Sequence, residues 1–188
     1  MRIITGTAKN KRLISLEGDS TRPTSERIKE AMFSAIQFDV EGRRVLDLFA
    51  GSGQLGLEAV SRGADSAMFI DASREAMEIV KKNATAVGFF DKSRFLVSDY
   101  RNYIRKASGR EHYDLVFIDP PYAMECCTDA VNRLKDAGLL NKGALVVLES
   151  GEEELDFSSE VYLDFEVQKH TSYGKKTTVA ILLYRGGN

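Results

Sequence analysis

Few residues in this chain are of the kinds that staple or stiffen a fold. Among 188 residues there are two cysteines, three prolines, two histidines and 15 glycines. The cysteines are neighbours, Cys126 and Cys127, which suits neither a disulfide framework nor the spaced ligands of a zinc site and fits a reducing compartment. His112 and His170 have no Cys or His partner at ligand spacing, so no metal is expected. Scarce proline, together with 43% hydrophobic and 29% charged residues, excludes disordered, collagen-like and low-complexity chains. No apolar run approaches the roughly 18 residues of a membrane span, and the opening MRIITGTAKNKR lacks the apolar core of a signal peptide. The expectation is a soluble, cytoplasmic, globular protein of one ordinary domain with a short appendage.

The net charge of −2 conceals an asymmetry. Residues 1–29 hold seven basic side chains (Arg2, Lys9, Lys11, Arg12, Arg22, Arg27, Lys29) against three acidic ones, so a basic end precedes an acidic body. Local potential, not total charge, attracts a polyanion, and this end is a candidate phosphate-binding arm. The alternative is an ordinary solvated surface.

The hydrophobic pattern changes near residue 43. Ile3-Ile4 and Leu13-Ile14, separated by Gly6 and Lys9-Asn10-Lys11, read as a small hairpin. With Thr24 as N-cap and Glu26 in the first turn, the helical spacing of Ile28, Ala31, Met32, Ala35 and Ile36 predicts a helix over 24–37. Residues 1–40 are read as an N-terminal extension and 41–188 as the main domain. In the latter, short apolar runs alternate with helical patterns, the mark of an α/β fold on a parallel sheet. Strands are predicted at 45–49, 67–70, 94–97, 115–118 and 145–148. A helix is predicted from Ser73 to Gly88, with Ala76, Ile79, Val80, Ala84 and Val87 on one face. Another carries Cys127, Ala130, Val131, Leu134 and Ala137. Apolar runs at 161–167 and 178–184, with no strong helix between them, predict a closing antiparallel pair.

The first strand runs into Gly51-Ser52-Gly53-Gln54-Leu55-Gly56, a G-x-G-x-x-G turn that opens a helix. Glycines there permit unusual backbone angles and let a ligand approach the main chain, though a tight turn without a ligand is the alternative. A dinucleotide's pyrophosphate would be repelled by Asp47, four residues before the first glycine, whereas S-adenosylmethionine, with a sulfonium and an ammonium and no phosphate, would not. The candidate cofactor residues are Asp47, Phe49, Ala50, Gly51, Ser52, Gly53, Asp71, Ala72, Asp99 and Tyr100. Asp71 ends the second strand, where a carboxylate can take both ribose hydroxyls. Asp99 follows the third and can accept from an adenine amine, with Tyr100 or a neighbour against the ring. Either acid can instead cap the helix after it.

After the fourth strand comes Asp119-Pro120-Pro121-Tyr122, the candidate catalytic segment. Two prolines remove two amide donors and stiffen the carbonyls into an acceptor array. A carboxylate, a fixed carbonyl and an aromatic ring together suit the exocyclic amine of a nucleobase. The two acceptors would hold its N–H groups and stabilise the positive charge that grows as nitrogen attacks a methyl group, and Tyr122 would stack on the base. No histidine base is required, because the alkylated nitrogen is strongly acidic. A target base would be unpaired or flipped out of its helix.

These segments resemble the bacterial methyltransferases that modify the N2 amine of one guanine in small-subunit (16S) ribosomal RNA. The likeness is carried by Met1-Arg2-Ile3-Ile4 with Gly6, Arg22-Pro23-Thr24 with Arg27-Ile28-Lys29-Glu30 and Phe33, and Val45 to Gly53. It continues through Leu55 to Ala59, Ser61-Arg62-Gly63-Ala64, Asp119 to Tyr122, and Tyr173-Gly174. The resemblance implies a seven-stranded Rossmann-like methyltransferase sheet over 41–188 with a hairpin-plus-helix extension over 1–40, and S-adenosylmethionine as cofactor. It implies as partner ribosomal RNA or a partly assembled small subunit, with Arg2, Lys9, Lys11, Arg12, Arg22 and Arg27 as RNA contacts. Two positions depart from the family pattern: Asp71 stands where a Glu is usual, and Ser98-Asp99-Tyr100 replaces Gly-Asp-Ala.

Alternatives remain at this point. An adenine-N6 or cytosine-N4 methyltransferase can use the same tetrapeptide, but no large target-recognition domain is visible. A non-catalytic RNA-binding assembly factor would have no need of Asp119 to Tyr122, and an NAD oxidoreductase would share only the glycine turn. Cys127 is expected in the core, Cys126 is expected to be incidental, Glu152 to Glu154 are expected in a solvated loop, and Lys175-Lys176 either touch RNA or lie in an exposed turn.

Overall fold

The computed structural model describes residues 1–16, 23–121, 126–151, 153–174 and 177–187. Arg22, Tyr122, Glu152, Lys175 and Lys176 lie outside them. The chain forms two compact units, Met1–Asp99 and Tyr100–Asn188. In the first are α1 (Pro23–Ala35), β1 (Arg44–Asp47), α2 (Gln54–Ser61), β2 (Ser66–Asp71), α3 (Arg74–Val87) and β3 (Ser93–Val97). In the second are α4 (Tyr100–Ala107), β4 (Tyr113–Ile118), α5 (Cys127–Asp136), β5 (Leu140–Ser150), β6 (Phe165–Tyr173) and β7 (Thr177–Tyr184). The strands run in the order β3-β2-β1-β4-β5-β7-β6 in one seven-stranded sheet. β1 with β2, β2 with β3 and β4 with β5 are parallel, whereas β7 pairs antiparallel with both β5 and β6. The antiparallel ending expected from the two late apolar runs is present.

Strand burial follows sheet position. Leu115, Val116, Phe117 and Ile118 of β4 are wholly buried, which is why that run reads as continuous apolar sequence. Edge strand β3 leaves Leu96 and Val97 exposed. The other edge, β6, is mostly polar, and it starts at Phe165 and not at 161 as expected. Residues Glu160–Tyr162 form a 3-10 turn, with Tyr162 buried edge-on to Phe157 and Phe165. An exposed edge strand needs little apolar alternation, so its sequence signal is weak.

Helix α3 has the ends its sequence predicts. The Ser73 hydroxyl accepts from the Ala76 amide, and Gly88 closes the helix in the left-handed region. Its buried face holds Met77 and Asn83, while Ile79 is only half-buried. Helix α1 begins at Pro23, a position proline favours, so Thr24 lies inside the helix and is not its N-cap. Helix α4 was not foreseen; Tyr100, Tyr103, Ile104 and Ala107 form its buried stripe.

The N-terminal arm is a small antiparallel turn, as expected. Arg2 and Arg12 form the bridge, and the Ile3 amide donates to the Lys11 carbonyl at 2.9 Å, with Ile3, Ala8 and Leu13 buried. Gly6 touches α2 so closely that an added Cβ would lie 1.8 Å from the Ser61 carbonyl oxygen. Glu58 of α2, fully buried, accepts from the Ile4 and Thr5 amides at 2.7 and 3.0 Å and from Arg62 at 2.8 Å, with Lys29 at 3.6 Å. A buried carboxylate persists only when its lone pairs are filled, and here two backbone donors and two cations fill them. Lys29 in turn donates to the Arg2 carbonyl at 2.7 Å.

Candidate active site

The glycine turn opens α2 with three glycines in three different roles. Gly51 and Gly53 take φ of +54° and +79°, the left-handed region that side chains avoid. A Cβ on Gly51 would meet nothing within 4 Å, so open space borders the main chain there. At Gly56 a Cβ would fall 2.4 Å from the Phe69 ring, which is the close packing of helix on strand.

Two acids of the same unit hold this loop. Asp71, half-buried at the end of β2, accepts from the Gly51 amide at 2.9 Å and from the Ser73 amide at 2.8 Å. Each of its oxygens thus takes one backbone donor and retains lone-pair capacity for a ligand hydroxyl. The cap of α3 is Ser73, not Asp71. Asp47, 2% exposed, accepts from the Gly56 amide at 2.9 Å and so pins the first turn of α2. Burial pushes its carboxyl up to about 7, against the Gly56 hydrogen bond, and the Asp71 charge adds to the rise. Asp47 thus acts on the loop backbone through the Gly56 amide.

Phe49 is half-buried, Ala50 buried and Ala72 exposed, and the Ala50 amide donates to the Ile70 carbonyl at 2.9 Å. Asp99 is half-buried after β3. In the second unit Tyr100 is 2% exposed and its hydroxyl donates to Asp129 at 2.6 Å. That placement corrects the expectation of Tyr100 as an adenine platform: the ring starts α4 and packs inward. Burial, then the bond to Asp129, lifts its phenol well above the ordinary range.

The second unit carries Asp119, half-buried directly after β4, then buried Pro120 and exposed Pro121; Tyr122 lies outside the described residues. Helix α5 resumes at Cys127 without a side-chain cap of its own. Glu153, in the segment after β5, supplies one, accepting from the Cys127 and Thr128 amides at 2.7 and 2.9 Å. Glu153 is thus not a solvated loop residue, as had been expected. Both cysteines are buried, Cys126 included; burial lifts the Cys126 thiol to about 11 and the Cys127 thiol higher still.

Of the basic residues proposed for RNA, Arg2, Lys9, Lys11, Arg12 and Arg27 are exposed, and Arg22 lies outside the described residues. Bridge partners share a face, so Arg2 and Arg12 stand side by side, and Glu26 bonds Arg2 at 2.6 Å. Lys11 donates to the Val87 carbonyl at the end of α3, 3.1 Å away. Among the described residues no group of His, Cys, Asp and Glu is placed to hold a metal ion, and no helix is long and apolar enough to cross a membrane. Sequence reasoning missed Glu58, Asn83 and Glu153. Only Glu58 left a signal, its i,i+4 spacing to Arg62.

A seven-stranded α/β sheet with a glycine turn after its first strand defines a nucleotide- or nucleoside-binding class. The same fold occurs in a candidate methyltransferase, yhhF, from Escherichia coli, at a TM-score of 0.86 and 27% identity over 100% of this chain and 99% of that one. The chain belongs to the family described as conserved hypothetical protein 95, whose model matches residues 1–182. It is 34% identical to a Bacillus subtilis (strain 168) protein named as a candidate rRNA methyltransferase, YlbH, over 99% of this chain and 100% of that one. To the ribosomal RNA small subunit methyltransferase D of Escherichia coli (strain K12) it is 33% identical, over 80% of this chain and 74% of the relative.

Proposed function

We propose that this protein transfers a methyl group from S-adenosylmethionine to the exocyclic N2 amine of a guanine in small-subunit (16S) ribosomal RNA, in the cytoplasm during ribosome assembly. The observation that carries the reading is the acceptor pair at the end of β4: half-buried Asp119 followed by buried Pro120, in a chain whose relatives are named for ribosomal RNA methylation.

The residues of the glycine turn suit this cofactor. Gly51 leaves open space against the backbone, Asp71 keeps acceptor capacity for ribose hydroxyls, and no positively charged side chain belongs to the turn, as a pyrophosphate would favour. When bound, S-adenosylmethionine supplies an electrophilic methyl group on a sulfonium.

Asp119 and the Pro120 carbonyl accept the two N–H bonds of the target amine. A guanine N2 lone pair is delocalised into its ring, and two acceptors favour a more tetrahedral, more nucleophilic nitrogen. They also stabilise the positive charge that develops on it. The proton then leaves the alkylated nitrogen to water or to Asp119, so no separate base is needed. Tyr122 stacks on the base and aligns the nitrogen. The arm's basic side chains hold flanking phosphates while the guanine is unstacked, at a cost of about a few kcal/mol.

The test is incubation with radiolabelled methyl donor and unmodified small-subunit RNA, followed by mapping of the labelled nucleoside. N2-methylguanosine is expected. Label on adenine N6 or cytosine N4 overturns the assignment of the base, and no label at all makes the protein an assembly factor. Asp119→Ala is expected to lower kcat by at least about a hundredfold while S-adenosylhomocysteine still binds. An active variant removes Asp119 from the mechanism.

A further inference from the structure

Asn83 lies in the interior of α3, where asparagine is a poor helix former, and it is 1% exposed. Its side-chain amide uses both of its hydrogens and its oxygen. Oδ1 accepts from the Ile14 amide at 2.8 Å, and Nδ2 donates to the Ile14 carbonyl at 3.0 Å and to the Ser52 carbonyl at 2.8 Å. Ile14 belongs to the N-terminal arm and Ser52 is the residue between the two left-handed glycines. The loop is therefore pinned twice, at the Gly51 amide by Asp71 and at the Ser52 carbonyl by Asn83, and the second pin is shared with the arm. Ser52 is itself 3% exposed, and without Asn83 its carbonyl would lose its side-chain partner in the interior.

We infer that Asn83 is a positioning residue that makes the cofactor loop's geometry depend on the docked arm, so that the backbone at Ile14 helps set affinity for the cofactor. The inference rests on the cofactor proposed above. With the arm seated, the Ile14 amide and carbonyl orient the Asn83 side chain, and that side chain fixes the peptide between Ser52 and Gly53. With the arm backbone altered, the asparagine loses two of its three partners and the loop carbonyl loses its fixed donor.

Ile14 provides a clean probe because its side chain is 52% exposed and it lies outside helix and strand. Ile14→Pro removes the N–H that Asn83 accepts, whereas Ile14→Ala keeps it. S-adenosylhomocysteine titrated by calorimetry is expected to bind Ile14→Pro about three- to tenfold more weakly than wild type, with Ile14→Ala within about twofold. The unliganded proline variant is expected to melt a few degrees lower, because Oδ1 of buried Asn83 loses its donor; a purely structural role would lower the midpoint and leave the affinity of the folded protein unchanged. Asn83→Asp, nearly isosteric but without the two N–H donors, is expected to weaken the same titration. Wild-type affinity in both Ile14→Pro and Asn83→Asp overturns the inference. Failure of wild type to bind S-adenosylhomocysteine overturns the cofactor reading instead.

Discussion

Asp47 combines a sequence-visible motif position with an ionisation that sequence does not reveal. Its folded-state value near 7 lies above the ordinary carboxyl value, so between about pH 4 and pH 7 the folded chain keeps a proton that the unfolded chain has released. Stability must then fall as pH rises through that window and level off above it, by at most ~4 kcal/mol for a shift of this size. Asp47→Asn preserves an acceptor for the Gly56 amide and removes the titration. Urea unfolding between about pH 5 and pH 8 is expected to show a decline in the wild type that the variant lacks; parallel curves would contradict the buried-acid reading. Glu58 meets burial with different neighbours, two backbone amides and the cations of Lys29 and Arg62.

At the scale of elements, α5 depends on a cap from elsewhere in the chain. Loss of such a cap costs about 1 kcal/mol, and Glu153→Ala should lower the thermal midpoint by about 2–4 °C for a chain of this length. Cys126 occupies the N-cap position, so Cys126→Asp in the same background is expected to restore the midpoint by supplying a local acceptor. No recovery would mean that Glu153 acts otherwise than as a cap. This dependence also explains what sequence revealed and what it hid. The central strands and the ends of α3 were legible because continuous apolar runs, a serine cap and a terminal glycine are local signals. The glycine turn and Asp119-Pro120-Pro121 were legible for the same reason. Glu153 caps a helix 25 residues upstream of it, and Asn83 clasps a residue 69 positions away; such pairings exist only once the chain has folded. Tyr100 misled because an aromatic beside an acid at a strand end resembles a ring platform until α4 turns it inward.

For the whole molecule, charge distribution matters more than the net value of −2. The arm's cations are exposed, and Glu26 already offsets Arg2. RNA affinity should therefore fall with rising salt, each phosphate contact adding roughly 0.7 to 0.9 to the slope of log K against log salt. Reversing Lys9 and Arg12 to Glu is expected to flatten that slope by about two and to leave S-adenosylhomocysteine affinity in place, because neither residue reaches the glycine turn through Asn83. An unchanged slope in a filter-binding series would reduce the arm to ordinary surface. The family model matches residues 1–182, so the arm and all seven strands fall largely within one family match.

Cys126 and Cys127, the chain's entire complement of thiols, are interior and poorly ionised. Alkylating reagents at neutral pH consequently find almost no native thiolate. A fluorophore on a cysteine engineered at Phe38, 91% exposed in the turn after α1, would report on the arm-bearing unit without competing native labels.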